Sequence, residues 1–95
     1  MSKIYQDDIG TIFQFDAGSS LAGATKSDIL IKKPLGGEVT WAGTVDGEDN
    51  TKVNYTTVAD DLDQIGKYYA NLDIAIPGWS GLGETATFTV YEKFE

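Results

Sequence analysis

From Tyr68 to Ile76 the chain sets Tyr68, Ala70, Leu72, Ile74 and Ile76 at alternate positions, with Tyr69, Asn71, Asp73 and Ala75 between them. A period of two belongs to a strand, and a strand apolar on one side must bury that side against a second layer. The same alternation recurs along the chain. Phe13 and Phe15 share a phase with Thr11, opposite Ile12, Gln14 and Asp16. Ile29 and Ile31 oppose Asp28, Leu30 and Lys32, and Val53 pairs in phase with Tyr55. Val39, Trp41, Gly43 and Val45 oppose Glu38, Thr40, Ala42 and Thr44, while Ala86, Phe88 and Val90 oppose Thr85, Thr87, Thr89 and Tyr91. With a short first strand at Ile4 and Tyr5, this predicts about seven short antiparallel strands packed as a sandwich.

The segments between the strands carry the matching turn chemistry. Pro34 lacks an N–H and stops the third strand, so "PLGG" reads as the turn of a hairpin into "EVTWAGTVD". In "AGSSLAGAT" Leu21 is the apolar plug, and "ADDLDQIG" is a polar corner from which Leu62 and Ile65 point inward. "PGWSGLG" reads as a glycine-rich loop joining the last two strands, with Trp79 inside it. At 95 residues the chain is expected to be one domain, spanning residues 1–95.

Composition removes whole classes of function. The chain has no cysteine, so it can build neither a disulfide nor a thiolate metal site, and no histidine, the usual general base and commonest metal ligand. Fifteen acidic against seven basic residues give a net charge of −8. That charge opposes a phosphate backbone and an anionic membrane, and the pair Lys32 and Lys33 reads as the wet end of a strand. No apolar run approaches the roughly 20 residues of a membrane-spanning helix, and no signal-peptide layout is present. The expectation is a protein made in the cytoplasm, without nucleic-acid or membrane partners.

Two patterns imitate catalytic motifs. Ser80 sits between glycines, but Gly81 is directly beside it, which is not the spacing of a nucleophile elbow. Gly81, Gly83 and Ala86 match a dinucleotide fingerprint, yet they open a strand where that motif requires a helix. The clusters Asp46, Glu48, Asp49, Asn50 and Asp60, Asp61, Asp63 could offer oxygens to calcium, but neither follows the alternating spacing of a calcium loop, and both read as turn residues. The reading is therefore no catalytic residue, no cofactor and no metal. For contact with other molecules the candidates are Trp79, as an aromatic leaving its strand, and the uncharged outward row Thr85, Thr87, Thr89 and Tyr91.

Asp63, Gly66 and Tyr68 resemble the tyrosine corner of antibody-type sandwiches, with Asp63 one place further from the glycine and Ala70 in the core cysteine position. This points to an immunoglobulin-like sandwich without a disulfide. The order of segments takes the resemblance further: "IYQDDIG" before a strand, "LAGAT" leading to a strand that ends in "KKP", a glycine turn, Trp41 in the next strand and a closing "GET". That series resembles short virion proteins of tailed phages with an immunoglobulin-like fold and is more distantly similar to the N-terminal domain of phage upper baseplate proteins. The resemblance implies a non-enzymatic structural, adapter or decoration component of a capsid, neck, tail or baseplate, with other virion proteins as partners and a homo-oligomer in the particle as an option. The alternative is a carbohydrate-binding module using Trp79 with Tyr69 or Tyr91.

Overall fold

A computed structural model describes residues 3–95. Its strands are β1 (Ile4–Tyr5), β2 (Ile12–Asp16), β3 (Lys26–Lys32), β4 (Glu38–Ala42), β5 (Thr44–Val45), β6 (Lys52–Thr56), β7 (Gly66–Ile76) and β8 (Trp79–Tyr91). They form two sheets, β1-β8-β7-β3-β4 and β2-β6-β5. The fold is all-β, with the two sheets in a sandwich-like arrangement. All neighbouring pairs are antiparallel except β1 and β8, which run parallel with Ile4 beside Val90 and Tyr5 beside Tyr91. Eight strands replace the expected seven or so. The added one arises because "EVTWAGTVD" divides between β4 and β5.

Gly43 is the point of division. β4 pairs with β3 in the larger sheet, β5 pairs with β6 in the smaller, and the chain crosses between layers at this residue. A Cβ here would collide with Val53, the Ser27 carbonyl and Ile29, one obstacle from each sheet and one from the backbone. Only a residue without a side chain lets a strand pass that close to the opposing layer.

The inward residues are those the alternation picks out: Ile29, Ile31, Trp41, Val53, Leu62, Tyr68, Ala70, Leu72, Ile74 and Val90 are buried, and Leu21 closes one end. Val39, expected inward, remains partly exposed because β4 is the edge of its sheet. Ile65 reaches only intermediate burial. Aromatic rings fill the middle. Phe13 lies 4.6 Å from Phe88, Trp41 stacks on Tyr55 at 4.5 Å, and Tyr68 stacks on Phe88 at 5.0 Å. The first two of these contacts join the two sheets, while Tyr68 and Phe88 are cross-strand neighbours within the larger one. The Trp41 indole N–H is buried there without a hydrogen-bond partner among the described residues.

The corner before β7 is tightly tied. The Tyr68 side chain is fully buried; its hydroxyl donates to the Gln64 carbonyl oxygen at 3.0 Å and accepts from the Gln64 amide at 2.9 Å. Gln64 in turn accepts from the Leu35 amide and donates to the Gly36 carbonyl, so the corner also holds the β3–β4 turn. Lys33 joins the same turn to the corner through Asp63 at 2.6 Å and the Asp60 carbonyl at 3.1 Å. The tyrosine corner is thus present, despite the lengthened spacing from Asp63.

The acidic clusters serve local structure. Asp49 accepts from the amide and hydroxyl of Thr51, Asp46 accepts from the Glu48 amide, and Asp61 accepts from the Tyr55 hydroxyl at 2.6 Å and the Val58 amide at 2.8 Å. Burial, reinforced by the Asp61 carboxylate, pushes the Tyr55 phenol up to about 12.

Three outcomes follow from this packing. Tyr68→Phe removes a bonded, buried hydroxyl and lowers stability by about 1 to 2 kcal/mol in urea denaturation, because two backbone groups of Gln64 lose their partner. Gly43→Ala costs about 1 to 3 kcal/mol by overpacking the crossing; an unchanged midpoint would show that the sheets part freely there. Because the folded state raises the Tyr55 phenol, its stabilising contribution is complete below the ordinary tyrosine value near 10 and is lost as pH climbs toward 12. The urea midpoint therefore falls over that interval, and falls less in Tyr55→Phe.

Candidate interaction surface

Cross-strand neighbours share a face, so the register of the larger sheet lays out its outward side row by row. One row runs Thr87, Tyr69, Lys32, Glu38; the next runs Thr85, Asn71, Leu30, Thr40. Thr89 stands beside Lys67 at one end of the face, and Asp73 beside Asp28 at the other. The two rows border a shallow groove of about 510 Å³. Tyr69 is 43% exposed over it, while the Asn71 amide is held by the Thr85 hydroxyl at 2.9 Å and the Gly83 carbonyl at 3.2 Å.

The face is close to charge-balanced in a strongly acidic chain. Lys26, Lys32 and Lys67 stand among Asp28, Asp73 and Glu38, and Lys26 pairs with Asp73 at 2.8 Å. That pair raises the Lys26 ammonium above the usual lysine range, chiefly through its hydrogen bond to Asp73. The centre of the face is neutral: Tyr69, Asn71, Leu30, Thr40, Thr85 and Thr87. Such a surface suits contact better than its acidic surroundings do.

The proposed contact residues do not all lie together. Thr85 and Thr87 are exposed on this face, and Thr89 is half-buried at its end. Tyr91 is also half-buried, paired with Tyr5 and covered by the Lys3 ammonium 4.7 Å from its ring. Trp79 is elsewhere. It lies in β8 itself, because only Pro77 and Gly78 form the turn after β7 and the expected loop continues the hairpin.

A bulge decides which way Trp79 faces. Asn71 pairs with Thr85 but Asp73 with Leu82, so β8 spends one residue more than β7 between these pairs. An extra residue reverses the side-chain phase beyond it. Trp79 therefore pairs with Ile76 on the core side, although its odd number matches Thr85 and Thr87. There it is 50% exposed, at the mouth of an apolar cavity of about 460 Å³ lined by Ala17, Leu21, Leu72, Ile74 and Leu82. Among the described residues no aromatic partner for a sugar platform sits with it: Tyr69 is on the outward face and Tyr91 at the far end of β8.

Tyr69, Asn71 and Leu30 belong to the surface without standing out as a motif. The signal for them was the phase of β3 and β7, where a tyrosine and a leucine occupy outward positions. Known protein families, curated proteins and solved structures were all compared with the chain, and none matches it.

Proposed function

We propose that this protein is a non-enzymatic structural or adapter component of a tailed-phage virion, in the capsid, neck, tail or baseplate, that binds other virion proteins. The observation that carries the reading is the neutral, partly apolar outward face around Tyr69, Leu30, Thr85 and Thr87, set on the larger sheet of an acidic molecule. The ordered resemblance from "IYQDDIG" to "GET" supplies the virion context. A partner meets this face through hydrogen bonds to the threonines and Asn71 and through burial of Tyr69.

A second reading, a carbohydrate-binding module, is favoured by Trp79, half-exposed beside an apolar cavity. It rests on a single aromatic ring. Titration of the protein with host-surface polysaccharide, followed by tryptophan fluorescence, supports this reading if the emission of Trp79 shifts and counts against it if nothing changes.

Mass spectrometry of purified particles from the source phage is expected to detect the protein, and its absence from them would end the virion proposal. Tyr69→Ala is expected to weaken incorporation into particles by on the order of 2 kcal/mol while leaving the urea midpoint nearly unchanged, as for an exposed anchor residue. Undiminished incorporation would remove the outward face from the interface.

A further inference from the structure

We infer that the end of the smaller sheet where Ile9, Ile12 and Val58 stand exposed is a second contact surface, and that its partner is a basic segment of another protein carrying aliphatic side chains. The three side chains are 68%, 74% and 57% exposed, and they belong neither to the core nor to the outward face of the larger sheet. Ile12 pairs with Thr56 across the β2–β6 ladder. The pairing carries on past the strands: the Thr57 amide donates to the Thr11 carbonyl and the Gly10 amide to the Thr57 carbonyl, both at 2.9 Å. Ile9 and Ile12 on one segment therefore lie alongside Val58 on the other.

Elsewhere on that sheet face the polar groups meet one another. Asp16 pairs with Lys52 at 2.8 Å, and Gln14 donates to Asn54 at 3.1 Å and to Asp46 at 3.3 Å. At the Ile12 end the side chains are aliphatic instead, and covering them with another molecule removes apolar surface from water.

Carboxylates border the aliphatic patch and decide what can cover it. Asp7, Asp8, Asp60 and Asp61 lie within three residues of Ile9 or Val58, and the Asp7 amide, donating to the Leu62 carbonyl at 2.8 Å, brings the two runs together. Asp8 and Asp61 are taken up locally, by the Tyr5 amide and by the Tyr55 hydroxyl and Val58 amide. Asp7 and Asp60 are exposed, and among the described residues neither carboxylate has a hydrogen-bond or ion-pair partner. Lys33 is held by Asp63 and the Asp60 carbonyl, and Lys93, which borders a hollow with Asp7, lies over the Phe94 ring. Asp7 and Asp60 also have left-handed backbone, with φ of 67° and 71°; the third such non-glycine residue among those described, Phe94, borders the same hollow as Asp7. Backbone strain of this kind collects where a surface is built for contact.

Aliphatic side chains set between two unpaired carboxylates match a segment of the inverse layout, apolar in its middle and basic at its flanks. A second copy of the chain would set carboxylate against carboxylate, and nucleic acid or an anionic membrane would meet the same repulsion. The inference does not rest on the virion reading, whose surface lies on the other sheet.

A short peptide of lysines flanking two leucines is the probe. In an NMR titration it is expected to shift the amide signals of Ile9, Ile12 and Val58, leave those of Tyr69 and Asn71 in place, and bind with a dissociation constant below about 1 mM. Ile12→Ser is expected to weaken binding about tenfold and Asp60→Asn about threefold. Both positions are exposed and asparagine tolerates the left-handed turn, so the urea midpoint stays nearly unchanged. Glu48→Gln, which removes the same charge in the turn before β6, is expected to alter binding by less than about twofold. Equal binding of a peptide with serines in place of the leucines, or an effect of Glu48→Gln as large as that of Asp60→Asn, reduces the contact to general charge attraction and overturns the inference. Shifts centred on Tyr69, equal binding of a glutamate and leucine peptide, or no shift at all overturn it as well.

Discussion

The fold depends on one buried phenol. Tyr68 enters β7 with its ring on Phe88 and its hydroxyl closing both backbone groups of Gln64, so it belongs at once to the core and to the corner that feeds the central strand. Gln64 passes that constraint to the β3–β4 turn through Leu35 and Gly36. Gly66 lets the corner close, since a Cβ there would press on Pro34. A polar segment of turn residues thereby becomes a joint between three strands of the larger sheet. Burial holds the phenol above its ordinary range, which keeps it neutral and able to donate.

Around that joint the two layers are held by rings. Phe13 from the smaller sheet meets Phe88 and Trp41 from the larger, and Trp41 meets Tyr55 in return. Stacked aromatics give area and orientation together, which suits a small domain with no covalent link between its sheets. Their cost appears at Trp41, whose indole N–H is left without a partner among the described residues. Shape governs that position ahead of hydrogen bonding.

The architecture was legible because every strand alternates and every turn carries glycine, proline or aspartate. Tyr68, Ala70, Leu72 and Ile74 are buried as their spacing implies. Two places were not legible. At Gly43 nothing in the alternation marks a change of sheet, because Trp41 and Val45 keep the same phase while pairing with different partners. At the bulge near Gly83 one extra residue in β8 turns Trp79 away from the threonine row it matches by number. Pairing between distant strands decides both, and local pattern does not contain it. The candidate surface was half legible for the same reason: the β8 threonines were visible, while Tyr69, Asn71 and Leu30 joined them only through register.

The parallel contact of β1 with β8 also governs the order of events during folding. Ile4 meets Val90 and Tyr5 meets Tyr91 across almost the whole described sequence, whereas the β7–β8 and β3–β4 hairpins close over two-residue and five-residue connections. Loop-closure entropy makes such a distant pairing slow, and two residues of ladder repay little of it. β1 therefore docks late, onto a sandwich already formed, and is the first strand to leave under load. A force applied at the amino-terminal side would peel it from Val90 while the corner at Tyr68 stayed closed, giving the domain a soft end and a stiff one.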